Sequence, residues 1–377
     1  MSIRAAAVPR ASDMPPPATP VIAPHRLDVA VVGPGRVGRA LLGQIRQMRS
    51  ELARSRGLDL RLRAVVDSRH MWLDSDDEQL DARDGAQTWR PASLVDLAGH
   101  LGDAPHAVIA DCSASETVVG HYAAWLAAGI HLVTPNKLAM SGALARWQDM
   151  RSAAASGGAC WCYETTVGAG LPVLKTLRDQ LDTGDRLVSV EGMFSGTLAW
   201  LFDGYDGASP FSGRVAEAVR LGYAEPDPRD DLDGRDVARK LVILAREAGL
   251  TLSLDDVEVD SLVPAASRHA DRDTFMRQLH QLDPSMARRH AAAVREGAVL
   301  RHVGRLHADG RASVALRAVP ASHPLAHARL TDNVFVFRTR RYHDNPLIVQ
   351  GPGAGPDVTA AGVFADILHI ADQAVRW

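Results

Sequence analysis

The tightest constraint in this chain lies between Val29 and Gly38. Val29-Ala30-Val31-Val32 is an uncharged, largely β-branched run of the kind buried on both faces in a parallel sheet. It leads without a spacer into Gly33-Pro34-Gly35-Arg36-Val37-Gly38, and a helical pattern follows over Arg39–Met48. Gly-x-Gly-x-x-Gly alone recurs in many turns that bind nothing; between a strand and a helix it acquires a mechanical meaning. Gly33 permits a tight turn, Gly35 lets backbone approach a pyrophosphate, and Gly38 lets helix and strand pack closely. The helix start supplies unpaired N–H groups and a favourable dipole for phosphate oxygens. A dinucleotide site at Gly33, Pro34, Gly35, Arg36, Val37 and Gly38 is therefore expected, with a ligand-free glycine turn as the bland alternative.

The second strand, Leu60–Val66, ends at Asp67, where an acid would bind the adenosine ribose hydroxyls of NAD. Ser68 and Arg69 follow and could instead hold the 2′-phosphate of NADP. Asp67 lies further from Gly33 than the usual spacing of ~20 residues, because the segment 40–59 is long. Acceptance of both cofactors is the expectation. Further strands at Ala107–Ala110 and His131–Thr134 flank a helix at Glu116–Ala128, so strand and helix alternate as in a doubly wound α/β domain. Beyond about Trp161 the rhythm loosens. Strands at Leu187–Phe194, Val299–Leu306, Ala312–Val319 and Asn333–Arg340, with helices at Gly213–Leu221 and Arg235–Ala248, fit a second, α+β domain around a mixed sheet. A helix over Val358–Ala374 follows the glycine-rich Gly351–Gly355.

Composition narrows the partners. Hydrophobic residues at 46%, charged residues at 23% and a net charge of -3 describe an ordinary globular chain with no polyanion-binding surface. No apolar stretch reaches the ~18–20 residues of a membrane-spanning helix. Cys112, Cys160 and Cys162 are too few and too uneven for a disulfide framework, and Cys160-Trp161-Cys162 lacks the second ligand pair of a zinc site. Residues 1–25 are rich in Pro and Ala and read as a disordered tail on a cytoplasmic protein. Arg4, Arg10 and the scarcity of acids also fit a targeting peptide, but the prolines oppose an amphipathic helix there.

The most informative stretch runs from Gly222 to Lys240. Pro226 and Pro228 break any regular element, so Glu225–Asp233 is expected to be a loop, and it carries five carboxylates. Such a run is usually solvated surface. The helix after it has Asp233 as its expected N-cap and Gly249 as its stop. Asp236 and Lys240 are four residues apart and can pair. At ~100° per residue they fall between Ile243 and Leu244, away from an Arg235/Arg239/Arg246 face. A lysine on the apolar side of a helix is either half of a structural ion pair or an active-site amine. As the latter it needs a lowered pKa, which burial and a second cation would provide while Asp236 opposed them. Lys137, in Thr134-Pro135-Asn136-Lys137, follows the carboxyl end of a predicted parallel strand, where open α/β sheets bind ligands.

Gly222–Lys240 closely resembles the signature of homoserine dehydrogenases. Thr134–Lys137, Glu164–Pro172, Ser195–Thr197 and Gly353–Asp366 resemble further blocks of that family, in its order. The likeness runs from about Leu27 to Trp377 and is nearest the dehydrogenase half of the bifunctional aspartokinase–homoserine dehydrogenases. It implies a Rossmann-type nucleotide-binding domain over 26–162, completed by 345–377, and a catalytic and dimerisation domain over 163–344. It implies NAD(P)-dependent interconversion of L-aspartate 4-semialdehyde and L-homoserine, in the threonine, methionine and isoleucine branch of biosynthesis, by a cytoplasmic homodimer or higher homo-oligomer.

Position by position, Lys240 matches the family's proton-transferring lysine and Lys137 a second lysine beside nicotinamide and substrate. Glu225 and Asp236 match groups that bind the substrate's amino and hydroxyl ends, and Gly222, Tyr223, Asp231 and Thr197 belong to the same pocket. Ser113, with Cys112 and Ala114, matches a cofactor-contacting loop, and Gly355 another cofactor contact. Glu164, with the carbonyls of Val167, Ala169 and Leu171, matches a monovalent-cation site; such oxygen ligands suit sodium or potassium, and a tight glycine turn needs no ion at all. The chain has no room for the kinase and regulatory portions of the bifunctional enzymes and stops where monofunctional relatives often continue into an ACT-type domain. Feedback inhibition by threonine is therefore not expected.

Overall fold

The computed structural model describes residues 25–73, 89–102 and 104–374. The expected tail over 1–25 lies outside them except for His25, which opens the first strand. That sheet contains β1 (His25–Val32), β2 (Leu58–Val66), β3 (His70–Leu73), β4 (Arg90–Pro91), β5 (Ala107–Asp111), β6 (His131–Val133) and β7 (Trp161–Cys162). Their order is β4-β3-β2-β1-β5-β6-β7. From β2 to β7 the neighbours are parallel, and β3 and β4 extend the edge antiparallel. The chain steps from β1 to β2 on one side and later returns to β5 on the other. The carboxyl ends of β1 and β5 thus flank a topological switch point, where ligands enter such sheets.

The unbroken apolar run of β1 is explained by what covers it. Leu27, Val29 and Val31 pack against Leu41 and Ile45 of α1 (Arg36–Arg56), whereas Ala30 and Val32 face Leu97, Tyr122 and Trp125 on the opposite side. Alternate residues point to opposite faces, so the doubly covered stretch Val29–Val32 is apolar at every position, whereas the buried Asp28 before it is paired with Arg26 and Arg63. Helix α1 starts inside the glycine motif and outlasts the expected Arg39–Met48, ending at Gly57 in a left-handed C-cap, φ 64°. The single helix expected over Glu116–Ala128 is instead two, Glu116–Val119 and Tyr122–Ala127, separated at Gly120 and His121.

Past β6 come α2 (Lys137–Ser141), α3 (Leu144–Gly157) and α4 (Val173–Asp182). The second sheet has β8 (Leu187–Met193), β9 (Val257–Val259), β10 (Ala298–His307), β11 (Ala312–Pro320), β12 (Asp332–Thr339) and β13 (Leu347–Pro352), in the order β13-β12-β8-β10-β11-β9. Only the β11–β9 pair is parallel, so the sheet is mixed. Helix α5 (Gly196–Asp203) follows β8, and α6 (Arg235–Glu247) is buried against the sheet through Val237, Leu241 and Leu244. The expected N-cap Asp233 is displaced by Gly234, whose φ of 76° and close neighbours Val259 and Val314 exclude a side chain. Asp233 instead accepts the Arg235 N–H at 2.8 Å.

The chain's return to the first sheet starts later than residue 345. Leu347–Pro352 pairs with β12 and belongs to the second sheet. Only α7 (Pro356–Ala374) comes back, inserting Val363, Ile367 and Ile370 among Leu27, Val29 and Leu41. Ile367→Ala is expected to destabilise the protein by about 2–5 kcal/mol through the cavity it leaves. A thermal melt indistinguishable from wild type would show that α7 is not part of this core.

Candidate active site

A cleft of about 840 Å³ opens at the switch point, walled by Gly33–Gly35 after β1, Asp67 and Ser68 after β2, and Ser113 and Ser115 after β5. The three glycines do different work there. Gly33 has φ 80°, and a Cβ on it would lie 2.8 Å from the Ser113 nitrogen. A Cβ on Gly38 would lie 2.3 Å from the Gly33 carbonyl oxygen, so helix and turn close only on glycine. Gly35 has nothing within 4 Å of the same point, which leaves its face open for a phosphate-bearing ligand. No side chain caps the start of α1, so its first amides are available to such a ligand. Pro34 also lines the cleft, Val37 packs against the first core, and Arg36 is exposed.

Asp67 accepts N–H bonds from Arg69 at 2.7 Å and His70 at 2.6 Å, closing the turn between β2 and β3. Desolvation works against ionisation, but these amides hold the carboxyl below its ordinary value. The Arg69 side chain is exposed and is not among the cleft's walls; the arginines that line it are Arg39 and Arg46. Sequence reasoning passed over both. Arg39, Gly43 and Arg46 recur at the helical i, i+4, i+7 spacing of one face of α1, and that spacing was the available signal. Cys112 is largely buried, its thiol pushed up to about 12 by burial and the neighbouring Asp111, so it lines the loop without being reactive. Ala114 is exposed beside it.

The lysines meet at a single carboxylate. Asp236 Oδ2 is 2.8 Å from Lys240 Nζ, and Asp236 Oδ1 is 3.3 Å from Lys137 Nζ. Lys240 also donates to the Phe194 carbonyl at 2.6 Å. An ammonium has three N–H donors, so one remains for a substrate oxygen. Lys240 is only 7% exposed. Burial lowers its pKa, Asp236 pulls it back up and Lys137 lowers it again; the net direction is down. Asp236, held by two cations, has its carboxyl displaced downward in spite of its own desolvation.

This centre is joined to the cleft by a buried polar chain. Asp111 accepts the Ser113 N–H at 2.8 Å, the Tyr122 hydroxyl, and the Asn136 amide at 3.3 Å. Asn136 caps α2, accepting the Leu138 N–H at 3.0 Å, and its amide reaches the Ser115 carbonyl at 3.4 Å. Lys137 is therefore carried by a helix whose cap touches the cleft wall.

The acidic loop divides rather than acting together. Residues Arg229–Leu232 form a turn of helix where a plain loop was expected. Asp227 is paired with Arg229 at 2.5 Å, and Asp227, Asp230 and Asp233 line a separate depression with Arg229 and Arg235. Asp231 acts on Lys240 electrostatically, and Glu225 adjoins Asp231. Asp231 accepts the Glu225 N–H at 2.8 Å and is pushed up to about 6 by burial, against that bond. Thr197 donates to the Tyr223 carbonyl at 2.6 Å, tying the start of α5 to the segment that follows Gly222, φ 75°. The Glu225 side chain is exposed. Gly355, φ 128°, precedes α7, and Ala354 beside it lies 3.7 Å from where a Cβ of Gly196 would sit.

Glu164 accepts N–H bonds from Leu174 and Lys175, both at 2.8 Å, at the start of α4. Burial and the nearby Asp366 push its carboxyl up to about 7. Val167 to Leu171 form a tight turn with Gly168 at φ 83° and Ala169 at φ 53°. Among the described residues no three His, Cys, Asp or Glu side chains converge as a metal site, and no helix is long and apolar enough to cross a membrane.

An open cleft at the switch point, joined by polar contacts to a buried lysine pair, is the kind of arrangement that nicotinamide-dependent oxidoreductases use. Two family models match the chain: "Homoserine dehydrogenase, NAD binding domain" over residues 33–164 and "Homoserine dehydrogenase" over residues 172–368. The chain is 43% identical over 297 residues to a homoserine dehydrogenase of Paracoccidioides brasiliensis, covering 76% of this chain and 79% of that protein. It is 45% identical over 351 residues to a chloroplastic bifunctional aspartokinase/homoserine dehydrogenase of Zea mays, covering 91% of this chain and 38% of the relative's length. The chain thus spans well under half of such bifunctional relatives. A crystal structure of a Candida auris protein of unknown function matches with a TM-score of 0.85 at 34% identity, over 93% of this chain and 99% of that one. The chain belongs to the homoserine dehydrogenase family.

Gly38→Ala is expected to weaken NADPH binding and to lower the melting temperature, since overpacking of this kind typically costs about 1–3 kcal/mol. Fluorescence titration showing wild-type affinity would mean that the turn can open without loss.

Proposed function

We propose that this chain catalyses the NAD(P)-dependent interconversion of L-homoserine and L-aspartate 4-semialdehyde, with Lys240 as proton donor and acceptor. The observation that carries the reading is the buried Lys240 amine with one donor left over, between Asp236, Lys137 and the Phe194 carbonyl. Bound in the cleft, NAD(P)H would supply the hydride to the substrate's aldehyde carbon C4, and NAD(P)+ would accept it from that carbon in the reverse direction. In the reductive direction Lys240 protonates the developing alkoxide; in the oxidative direction its neutral amine takes the hydroxyl proton. Lys137 adds positive charge beside that oxygen, and its charge also eases deprotonation of Lys240. Asp236 orients both ammonium groups, while Asp231 and Glu225 receive the substrate's amino end. The cofactor residues are Gly33 to Gly38, Asp67, the 112–114 loop and Gly355, with Arg39 and Arg46 better placed than Arg69 for a 2′-phosphate; both NAD and NADP are accepted.

The nucleotide-binding unit comprises the first sheet and α7, and the catalytic and dimerisation unit the second sheet. The working form is a cytoplasmic homo-oligomer. Support comes from three free cysteines and from the edge of β13, which carries the exposed Ile348 and has no further strand beside it among the described residues. Lys240→Met is expected to reduce kcat by ~10²–10⁴-fold with NADPH affinity retained. Turnover near wild type in that variant would remove the assignment.

Glu164 and the carbonyls of Val167, Ala169 and Leu171 form the site for sodium or potassium. The support is a pair of buried acids whose charge Arg178 and the surrounding amides offset only in part. Glu164 moves from an ordinary 4.5 to about 7, and Asp366 from 3.8 to about 6. In the interval between those values the folded chain holds more protons than the unfolded one, so stability falls as pH rises through it. At pH 8 the melting temperature is expected to rise with potassium or sodium relative to N-methylglucamine, and Glu164→Gln to abolish the difference. Equal melting in all three salts argues for an ion-free turn.

A further inference from the structure

Helix α2 carries Lys137 on its first residue, yet it is five residues long. A helix of that length has no stability of its own and is held by what grips its ends. The N-terminal grip is the Asn136 cap and its bonds to Asp111 and Ser115. The C-terminal grip comes chiefly from the catalytic helix, with Arg146 of α3 adding a bond to the Leu138 carbonyl at 3.2 Å. Arg246, six residues after Lys240 on α6, is 1% exposed. Its Nη1 donates to the Met140 carbonyl at 2.7 Å, its Nη2 to the Gly142 carbonyl at 2.7 Å, and its Nε to the Leu252 carbonyl at 3.2 Å. The guanidinium carbon lies 5.8 Å from the centre of the Trp147 ring on α3.

Sequence periodicity placed Arg246 on a charged face with Arg235 and Arg239. The structure buries it completely, with backbone carbonyls and no carboxylate as its described partners. Burying a guanidinium without a counter-ion is costly, and it is sustained only where several acceptors converge. Here they converge at the carbonyl end of α2, the end of a helix that favours a cation. Arg239 adds a longer contact to Ser141, at 3.4 Å.

We propose that Arg246 is a positioning residue for the proton-transfer reaction: its guanidinium holds α2 against α6 and so fixes Lys137 beside the Asp236–Lys240 pair. The proposal rests on the reading of Lys240 as the proton-transferring group. The 3.3 Å approach of Lys137 to Asp236 joins the two helices, and no sheet hydrogen bond fixes it. Loosening α2 withdraws a positive charge from Lys240, which raises the amine's pKa as well as misplacing Lys137. A structural staple alone would change stability but leave both the chemistry and its pH dependence intact.

The test uses the full chain with Arg246→Met, Arg246→Lys and, as a control, Lys240→Met. Homoserine oxidation is followed against pH, NADPH affinity by fluorescence titration, and folding by thermal melting. Arg246→Met is expected to lose kcat by ~10²-fold while NADPH affinity is unchanged, the scale of a small misplacement of a catalytic group. The rising limb of kcat/KM against pH, where the neutral amine forms, is expected to move to higher pH. Arg246→Lys, reaching fewer carbonyls, should recover part of kcat and part of the shift. If Arg246→Met does not fold, Arg246→Lys is read by the same criteria. A folded variant with wild-type kcat and pH limb, whatever its melting temperature, overturns the proposal, provided that Lys240→Met is inactive. An active Lys240→Met instead brings down the Lys240 reading.

Discussion

The whole arrangement turns on one desolvated amine. Lys240 is buried in the interior of the second core, and a lone ammonium there would be prohibitive without the Asp236 carboxylate and the Phe194 carbonyl. Asp236 in turn is shared with Lys137, so the two lysines compete for one negative charge. That competition produces the useful result: neither cation is neutralised by a dedicated partner, and the more buried one is drawn toward release of its proton. Everything nearby then follows from the need to bring Lys137 and Lys240, which come from different halves of the molecule, to the same carboxylate.

Those halves are connected through polar contacts at their border. Asp111 ends β5 in the nucleotide sheet, and its carboxylate reaches the Ser113 amide and the cap of α2. From there the path runs through α2 to α6. A group that lines the cofactor cleft and a group that meets the substrate are thus a few hydrogen bonds apart. Buried networks of this kind are tolerated when every member is satisfied, and Asp111 and Asn136 meet that condition.

Much of this was legible in the linear sequence because it depends on local rules. The glycine motif can be read since each glycine answers a steric demand of its own neighbourhood, and the Asp236/Lys240 pair since four residues is one helical turn. What stayed hidden depends on distant partners. Arg246 looks like a surface residue until Met140 and Gly142, over a hundred positions away, supply carbonyls for it. The five acids of 225–233 look like one cluster until Arg229 folds back on Asp227 and takes that carboxylate out of the site. The cleft's own arginines, Arg39 and Arg46, lay within the expected helix, but that their face lines the cleft depends on which side of α1 is covered by the sheet and α7, and α7 was out of view from that end of the chain.

The position of α7 also bears on how the protein is made. One wall of the first core is built from Ala360 to Ala371, although its other parts are complete by Cys162. During synthesis the nucleotide-binding half therefore emerges with an apolar furrow along α1 and β1, and nearly two hundred residues of the second half must leave the ribosome before that furrow is filled. The topology opposes completion of the first half ahead of the second, and a nascent chain of this design has to shelter that surface until α7 emerges.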